Sequence, residues 1–245
     1  MTYEAQGVTF DGTNDYLLRG GDLTGNADGQ IFTGSVWFRR NSTGSQQRIG
    51  GGQFGRWQIE LLSATDEVKF ECENGSGSVI LQVNSSAVTD SGWHHILWSF
   101  DLSNASNRHI YLDDASDLSV TTYTNDTIDY TVSQHAIGAA TNGNFKFNGD
   151  LADVWIDFDQ YIDFSVESNR RDFIGPNGGT VDLGSDGSTP TGTAPIMFFS
   201  GTTSTWHTND GDGGGFTENG ALTDAATNPP MEPSLVSRLS LLGVG

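Results

Sequence analysis

The sequence has 245 residues and a formal net charge of −20, from 31 acidic and 11 basic side chains. Nucleic acids and anionic membranes bind proteins largely through Lys and Arg, so this balance argues against both as partners. Cys72 is the single cysteine, which excludes an intrachain disulfide, and the first residues lack the basic and apolar regions of a secretion signal, so we expect synthesis in the cytosol.

Short runs of alternating apolar and polar residues follow one another along the chain, separated by Asn-Gly and Asp-Gly dipeptides that suit tight turns. The alternation predicts half-buried antiparallel strands at residues 57–61, 68–73, 79–83 and 152–159. Residues 31–40 and 93–100 are apolar on both faces, which predicts central strands covered on both sides.

Residues 165–173 are the only segment that resembles a helix, with Ser165 as a candidate N-cap. The apolar run at residues 195–199 predicts one more strand. Many short strands with almost no helix are typical of an all-β sandwich or barrel, which we assign to residues 1–228. Residues 229–245 form a C-terminal tail, for which disorder, packing on its own sandwich and docking into a partner all stay open.

Four ordered stretches resemble the laminin-G-like, concanavalin A-like jelly-roll family. They read VTFDGTNDYL from Val8, GSVWF from Gly34, GWHHI from Gly92 with IYLD from Ile110, and FNGDLADVWI from Phe147. The resemblance covers residues 8–160 and implies a jelly roll of two antiparallel sheets. The sequence departs from the family pattern where Asp113-Asp114 replaces the usual Asp-Gly and Ala152-Asp153 the frequent Asp-Glu, which weakens the transfer of a metal site.

The later segments 193–199 and 209–224 look like the ends of similar domains in tailed-phage virion proteins. This resemblance implies a non-catalytic virion surface protein, in capsid decoration, a fibre or the tail. Its partners would be other virion proteins and a host-surface glycan, and repetition on one particle leads us to expect a homo-oligomer. The alternatives are a free-standing Ca²⁺-dependent carbohydrate-binding protein and a glycoside hydrolase.

Asp153, Asp157 and Asp159 alternate along one predicted strand face. Alternate strand positions lie about 6.6 Å apart, near the roughly 5–5.5 Å carboxyl spacing of a retaining glycosidase. Glucanases of this fold resemble the pattern, but Trp155 stands where their second acid would be. We therefore favour a solvated acidic face and predict that the protein is not an enzyme.

Calcium is the cofactor that the acidic turns suggest. Asp11, Asn14 and Asp15 share one predicted turn, and Asp113 lies in another with further aspartates. Carboxylate and amide oxygens in loops at the sandwich rim are typical Ca²⁺ ligands. The same residue types form turns without any metal, so both interpretations stay open.

Three tryptophans are candidates for sugar recognition, because a flat ring stacks on the C–H face of a pyranose. They are Trp57, Trp155 and Trp206, with Trp155 the strongest because it shares the acidic side of its strand. The alternative, which we favour, is that each ring packs between sheets or against a neighbouring subunit.

Overall fold

A computed structural model of the chain describes residues 3–233 and shows the predicted all-β sandwich of two antiparallel sheets. Its strands are β1 Val8–Asp11, β2 Tyr16–Arg19, β3 Ile31–Arg40, β4 Gln47–Gly52, β5 Trp57–Leu61, β6 Glu67–Glu73, β7 Val79–Ala87, β8 Trp93–Asp101, β9 Arg108–Leu112, β10 Ala115–Ser116, β11 Ser119–Tyr123, β12 His135–Ile137, β13 Asn148–Asp157, β14 Met197–Phe199, β15 Thr217–Asn219 and β16 Thr223–Asp224. The helices are α1 Glu167–Arg171 and α2 Thr203–Trp206, with a 3-10 turn at Gln53–Gly55. Residues 234–245, most of the predicted tail, lie outside the described residues.

The strands form two sheets, A and B. Sheet A runs β10-β9-β8-β3-β13-β1-β16, with β14 also pairing with β13, and sheet B runs β11-β7-β6-β5-β4-β12-β2-β15. β3 and β8 pair along nearly their whole length, from Ile31 opposite Asp101 to Arg39 opposite Trp93. Both were predicted to be central and covered, and both are.

The main core lies between the sheets and is built around aromatic rings. Phe32 on β3 packs edge-to-face on Trp57 of sheet B and on Trp98 of sheet A, with centroids 5.9 and 5.5 Å away. Such pairs add to the free energy already gained by burying the rings. β6 contributes its alternate residues, Val68, Phe70 and Cys72, as the sequence pattern predicts.

A second apolar cluster covers the outer face of sheet A. The chain after β13 folds back, so that Phe164, Phe173 and Leu183 bury Trp155 and other outward residues of the sheet. β13 is therefore buried on both faces from its second residue onward. The prediction of a half-buried strand at residues 152–159 was wrong because the segment that follows β13 folds back and supplies the cover.

Three local predictions also need correction. β5 was predicted to be half-buried, but its polar residues Gln58 and Glu60 are 4% and 1% exposed, so all five residues of the strand are buried. The helix is shorter than residues 165–173, and its N-cap is Val166, because the Ser165 hydroxyl donates to Asp163 Oδ1 instead of capping α1. Val79 is 38% exposed, because the pairing register between β6 and β7 shifts next to it. The strand predicted at residues 195–199 is confirmed as β14. No helix within residues 3–233 has the length and apolar character needed to cross a membrane.

Candidate functional site

The three tryptophans proposed for sugar stacking are all buried. Trp57, Trp155 and Trp206 are each 0% exposed. Their indole N–H groups donate inside the protein, to His135 Nδ1, to the Gly187 carbonyl and to the Gly201 carbonyl. A ring without exposed surface cannot stack on a sugar, so the sugar-binding prediction for these residues was wrong, and the packing alternative is the one that the structure shows.

The acidic face of β13 is not solvated, contrary to our interpretation. Asp153 and Asp157 are only 2% and 5% exposed, because the second apolar cluster and its flanking loops cover them. Asp153 accepts hydrogen bonds from the Tyr3 and Ser200 hydroxyls, at 3.0 and 2.8 Å. Burial raises the pKa of the Asp153 carboxyl to about 6.

Asp157 and Asp159 meet at one small cavity of about 220 Å³, which Asp212 also lines. Asp157 Oδ1 accepts the backbone N–H groups of Asp159 and Gln160, at 2.7 and 2.8 Å, and so holds the turn that ends β13. Burial raises the pKa of the Asp157 carboxyl. The structure thus brings two of the three predicted acids together, while it ties one of them to the backbone.

The predicted calcium ligands are engaged in turns. Asp11 Oδ1 accepts the backbone N–H groups of Thr13, Asn14 and Asp15, at 2.7–3.2 Å. Four strand spacings separate Asp11 on β1 from Asp113 beyond β9, about 19 Å, so the two cannot share an ion. Across residues 3–233 no three His, Cys, Asp or Glu side chains are placed to hold a metal. These contacts favour the turn-forming interpretation, and calcium binding stays a prediction.

Asp15 and Asp113 also hold backbone in place. Asp15 Oδ1 accepts the Ala221 N–H at 2.9 Å and ties the first turn to the chain before β16. Asp113 accepts the His95 N–H at 2.9 Å and lies 2.8 Å from the His94 ring Nδ1. Each carboxylate is therefore already hydrogen-bonded within the protein, as expected for a residue that holds a turn in place.

A different pair of aromatic rings is exposed. Phe54 and Phe145 are 76% and 41% exposed and flank a shallow cavity of about 250 Å³, which we name the aromatic notch. Its remaining lining residues are Arg48, Gly52, Gly55, Ala140, Thr141 and Asn142. Arg48 points away from the core, since its neighbour Ile49 is a core residue, so the notch opens beside the outer face of sheet B.

Both notch phenylalanines have an unusual backbone conformation. Phe54 has φ +61° and Phe145 has φ +55°, in the left-handed region that bulky residues rarely adopt. Such a conformation costs about 1–3 kcal/mol and is concentrated at functional sites. Hydrogen bonds fix it on both sides: the Gln53 N–H donates to the Gln134 carbonyl, and the Arg48 N–H donates to the Phe145 carbonyl.

Arg48 supplies the charge in the notch. Its guanidinium lies 5.5 Å from the Phe145 ring centroid, and its Nε donates to Glu60 Oε2 at 3.3 Å. Glu60 is itself buried and also pairs with Lys69, at 3.6 Å. Because Glu60 anchors Arg48, the guanidinium is held beside the Phe145 ring in a cavity that Thr141 and Asn142 also line.

Beside these rings, β4 carries three consecutive glycines, Gly50 to Gly52. A Cβ added to Gly51 would lie 3.1 Å from the Trp57 carbonyl oxygen and beside the Arg48 side chain. Gly51 therefore leaves room for the Arg48 side chain to lie across the strand. Two apolar rings, a cation and small polar groups are the elements of a site for a small polar ligand with one apolar face.

Sequence reasoning missed the notch because both rings lie in turn segments. A signal was present for Phe54, which lies among glycines and polar residues, whereas Phe145 precedes the buried Phe147 by two residues and so resembles a position in an alternating strand. The left-handed backbone that exposes them has no such signal, because left-handed positions in turns usually carry Gly or Asn.

The family model of the concanavalin A-like lectin/glucanases superfamily matches residues 11–157, well over half of the chain. The chain belongs to this family. The match includes both notch phenylalanines and all strands from β2 to β13. It confirms the family resemblance seen in residues 8–160, while the phage resemblance of the later segments stays a prediction. The search of curated proteins found no match.

Several solved structures share the fold at low identity. A Bacteroides ovatus protein described as a "putative carbohydrate binding protein" is 12% identical with a TM-score of 0.63, over 92% of this chain and 62% of that one. A heptameric pentraxin of Limulus polyphemus is 10% identical with a TM-score of 0.49, over 66% and 80% of the two chains. Domains LG4-5 of the mouse laminin α1 chain are 15% identical with a TM-score of 0.43, over 65% and 42%. This superfamily member thus spans about three fifths of the Bacteroides protein, and the likeness establishes the fold alone.

Proposed function

We propose that the protein binds carbohydrate at the aromatic notch. The observation that carries the proposal is the pair of exposed phenylalanine rings, Phe54 and Phe145, held at positive φ on either side of the cavity. Membership of a superfamily named for lectins and the fold shared with the Bacteroides protein support it. The ligand contact would place pyranose C–H groups on the rings and hydroxyls on Arg48, Thr141 and Asn142.

The charge of the chain favours a neutral glycan. At −20 the protein repels polyanions over distances set by the ionic strength, and the single guanidinium of the notch already pairs with Glu60. A neutral pyranose experiences no such electrostatic repulsion when it approaches the protein. We therefore expect unsubstituted hexose polymers to bind better than sulfated or uronate-rich ones.

Phe54→Ala should weaken binding about tenfold, and Phe145→Ala should weaken it less. Fully burying a phenylalanine side chain gains about 1.5–3 kcal/mol and 1.4 kcal/mol corresponds to a factor of ten in Kd, but Phe145 is only 41% exposed and has less surface left to bury. The measurement is affinity electrophoresis over a panel of neutral polysaccharides, followed by calorimetry on the one that retards the wild type most. Val166→Ser is the matched control, since Val166 is 44% exposed in the segment covering sheet A.

A companion variant separates lost binding from lost folding. Phe54→Gly removes the ring but suits φ +61°, so its melting temperature should equal or exceed that of the wild type while binding is lost. If the panel does not retard the wild type, or if both alanine variants bind like the wild type, the notch proposal fails.

We also propose binding without turnover. Asp157, the best placed acid, already accepts two backbone N–H groups, and this leaves it poorly suited to transfer a proton to a leaving group. The same polysaccharide panel tests this point through the release of reducing ends. Release that disappeared in Asp157→Asn would favour the glycoside hydrolase instead.

For the cellular context, we propose a homo-oligomeric virion surface protein that presents the notch to a host-surface glycan. Support comes from the likeness of residues 193–199 and 209–224 to domain ends in tailed-phage virion proteins. In the fold these segments contain β14, β15 and β16, which complete the two sheets. Purified protein should co-sediment with particles that lack it. If it does not, the virion role is wrong, while the notch result stands on its own.

A further inference from the structure

One lateral edge of the sandwich ends in a strand that has no neighbour on its outer side. β11 is the terminal strand of sheet B, and its residues 119–121 are exposed. It has five residues, whereas the other terminal strands, β10, β15 and β16, have only two or three. An open edge presents backbone N–H and C=O groups to a further strand, and proteins usually blunt it with charged residues, Pro or very short strands. Residues 118–124, LSVTTYT, contain neither a charge nor a Pro.

The backbone of Val120 faces this open side. The Thr121 hydroxyl donates to the Gln82 carbonyl at 3.1 Å, so Gln82 directs its backbone groups toward β11. Backbone groups alternate in direction along an antiparallel strand, so Val83 directs its groups toward β6. Val120 lies opposite Val83 and therefore directs its own N–H and C=O away from β7. The register shifts between Val120 and Thr122, which shortens the regular edge, so we expect pairing over a few residues and a weak association.

The same edge has an apolar, uncharged surface. Leu118 and Val120 are 38% and 39% exposed. Covering them with a further strand removes apolar area from water, in addition to the backbone hydrogen bonds that the strand makes. In a chain with a net charge of −20, an uncharged edge is also where a second copy approaches with the least local repulsion.

The two ends of β11 have opposite charges beside them. Arg108 lies at the C-terminal end, where its guanidinium is 4.2 Å from the Tyr123 ring centroid. Its Nε donates to the Ala105 carbonyl, and it forms no ion pair with any residue from 3 to 233. Asp117 lies at the N-terminal end, where its carboxylate accepts two hydrogen bonds from Ser86 and has capacity for more. Antiparallel pairing of two β11 strands brings opposite ends together, so that Arg108 approaches Asp117 of the partner subunit.

We infer that two copies of the chain pair their β11 strands antiparallel about a two-fold axis and so join their eight-stranded sheets B into one continuous sheet. The contact is isologous, with the same edge used by both copies. The inference gives an interface to the homo-oligomer proposed above and rests on that proposal, whereas the aromatic notch takes no part in the contact.

The pairing also fixes where the two notches lie. A two-fold axis between antiparallel strands is perpendicular to the joined sheet, so both outer faces of sheet B lie on the same side of the dimer. Four strand spacings separate β11 from β4 in each copy, which places the two notches about 40 Å apart along the sheet. A dimer of this form presents two sites to one polysaccharide and gains avidity from them.

The test is sedimentation velocity of the full-length chain from low micromolar to submillimolar loading. Physiological ionic strength is used, because screening limits the repulsion between two acidic copies. The wild type should change from monomer to dimer as the loading rises. Val120→Pro should raise the dissociation constant at least tenfold, since it removes the outward N–H, and its melting temperature should stay near that of the wild type because β7 does not use that N–H. Val120→Ile keeps the N–H and an apolar side chain, so this control should dimerise like the wild type.

Charge variants test the direction of pairing. Arg108→Asp and Asp117→Arg should each weaken the dimer several-fold, and the double variant should recover most of the wild-type affinity. A double variant as weak as the single ones would overturn the antiparallel pairing, and this result does not depend on whether Val120→Pro folds.

The outcomes separate this inference from the proposed function. A wild type that stays monomeric at every loading overturns both the pairing and the homo-oligomer, while sugar binding at the notch is tested independently by its own variants. A dimer that Val120→Pro leaves unchanged overturns the pairing alone. Loss of that dimer in Leu239→Glu would then assign the contact to the C-terminal tail.

Discussion

Trp155→Ala should lower the free energy of unfolding by about 3–5 kcal/mol, the usual range for deleting a buried aromatic side chain. Trp155 is 0% exposed and packs edge-to-face on Phe173 with centroids 5.2 Å apart. Its Nε1 donates to the Gly187 carbonyl at 2.8 Å, so the ring joins β13 to the segment that covers sheet A. Urea unfolding followed by far-UV circular dichroism measures the loss.

Trp155→Phe is the graded control. It keeps a ring against Phe173 but removes the indole N–H, so the loss should be clearly smaller than for alanine. The opposite pattern, a Trp155→Ala protein with wild-type stability and abolished sugar binding, would restore the sugar-stacking role that we withdrew from Trp155.

Asp153→Asn should remove a pH dependence of stability worth about 3 kcal/mol. The folded protein raises the pKa of this carboxyl from 3.8 to about 6, and each pKa unit corresponds to 1.36 kcal/mol. Because the folded state holds this proton to higher pH than the unfolded chain, its contribution is fully present below about pH 4. It is lost as the pH rises through 6. An amide stays neutral throughout and so escapes that loss.

The measurement is urea unfolding of both proteins from pH 4 to pH 7. Other titrating groups cancel in the difference between variant and wild type, and this difference should grow in favour of Asp153→Asn as the pH rises. Asp186→Asn provides the control, since hydrogen bonds from Ser188 lower the pKa of Asp186, so that its contribution changes mainly below about pH 4 and the difference for this variant should stay nearly constant from pH 4 to pH 7. A constant difference for Asp153→Asn would show that Asp153 titrates as in the unfolded chain.

Much of the fold was predictable because local patterns decided it. β3 and β8 are apolar on both faces, and that property alone places them in the middle of a sheet. The motifs around Phe10, Trp93 and Phe147 carried the family resemblance, and these residues lie where the family model matches or directly beside it. Alternation in β6 likewise translated directly into one buried and one partly buried face.

The site was less predictable, for two physical reasons. The exposure of Trp155 depends on residues 158–200, which fold back over it. The periodicity of its own strand does not indicate that this segment covers the ring. Whether Phe54 faces solvent depends on a left-handed φ that its residue type disfavours. Burial by distant segments and backbone strain both follow from tertiary structure, so a pattern read along the chain reports neither.

The layer over sheet A makes the molecule one-sided. With that surface closed by α1 and its flanking loops, the aromatic notch lies on the opposite flank of the sandwich. Attaching the protein to a support through the covered face of sheet A therefore orients the notch outward. A cysteine introduced at Val166 for coupling to a sensor surface would present every copy in the same productive direction, whereas coupling through Lys69 or Lys146 would point sheet B toward the support.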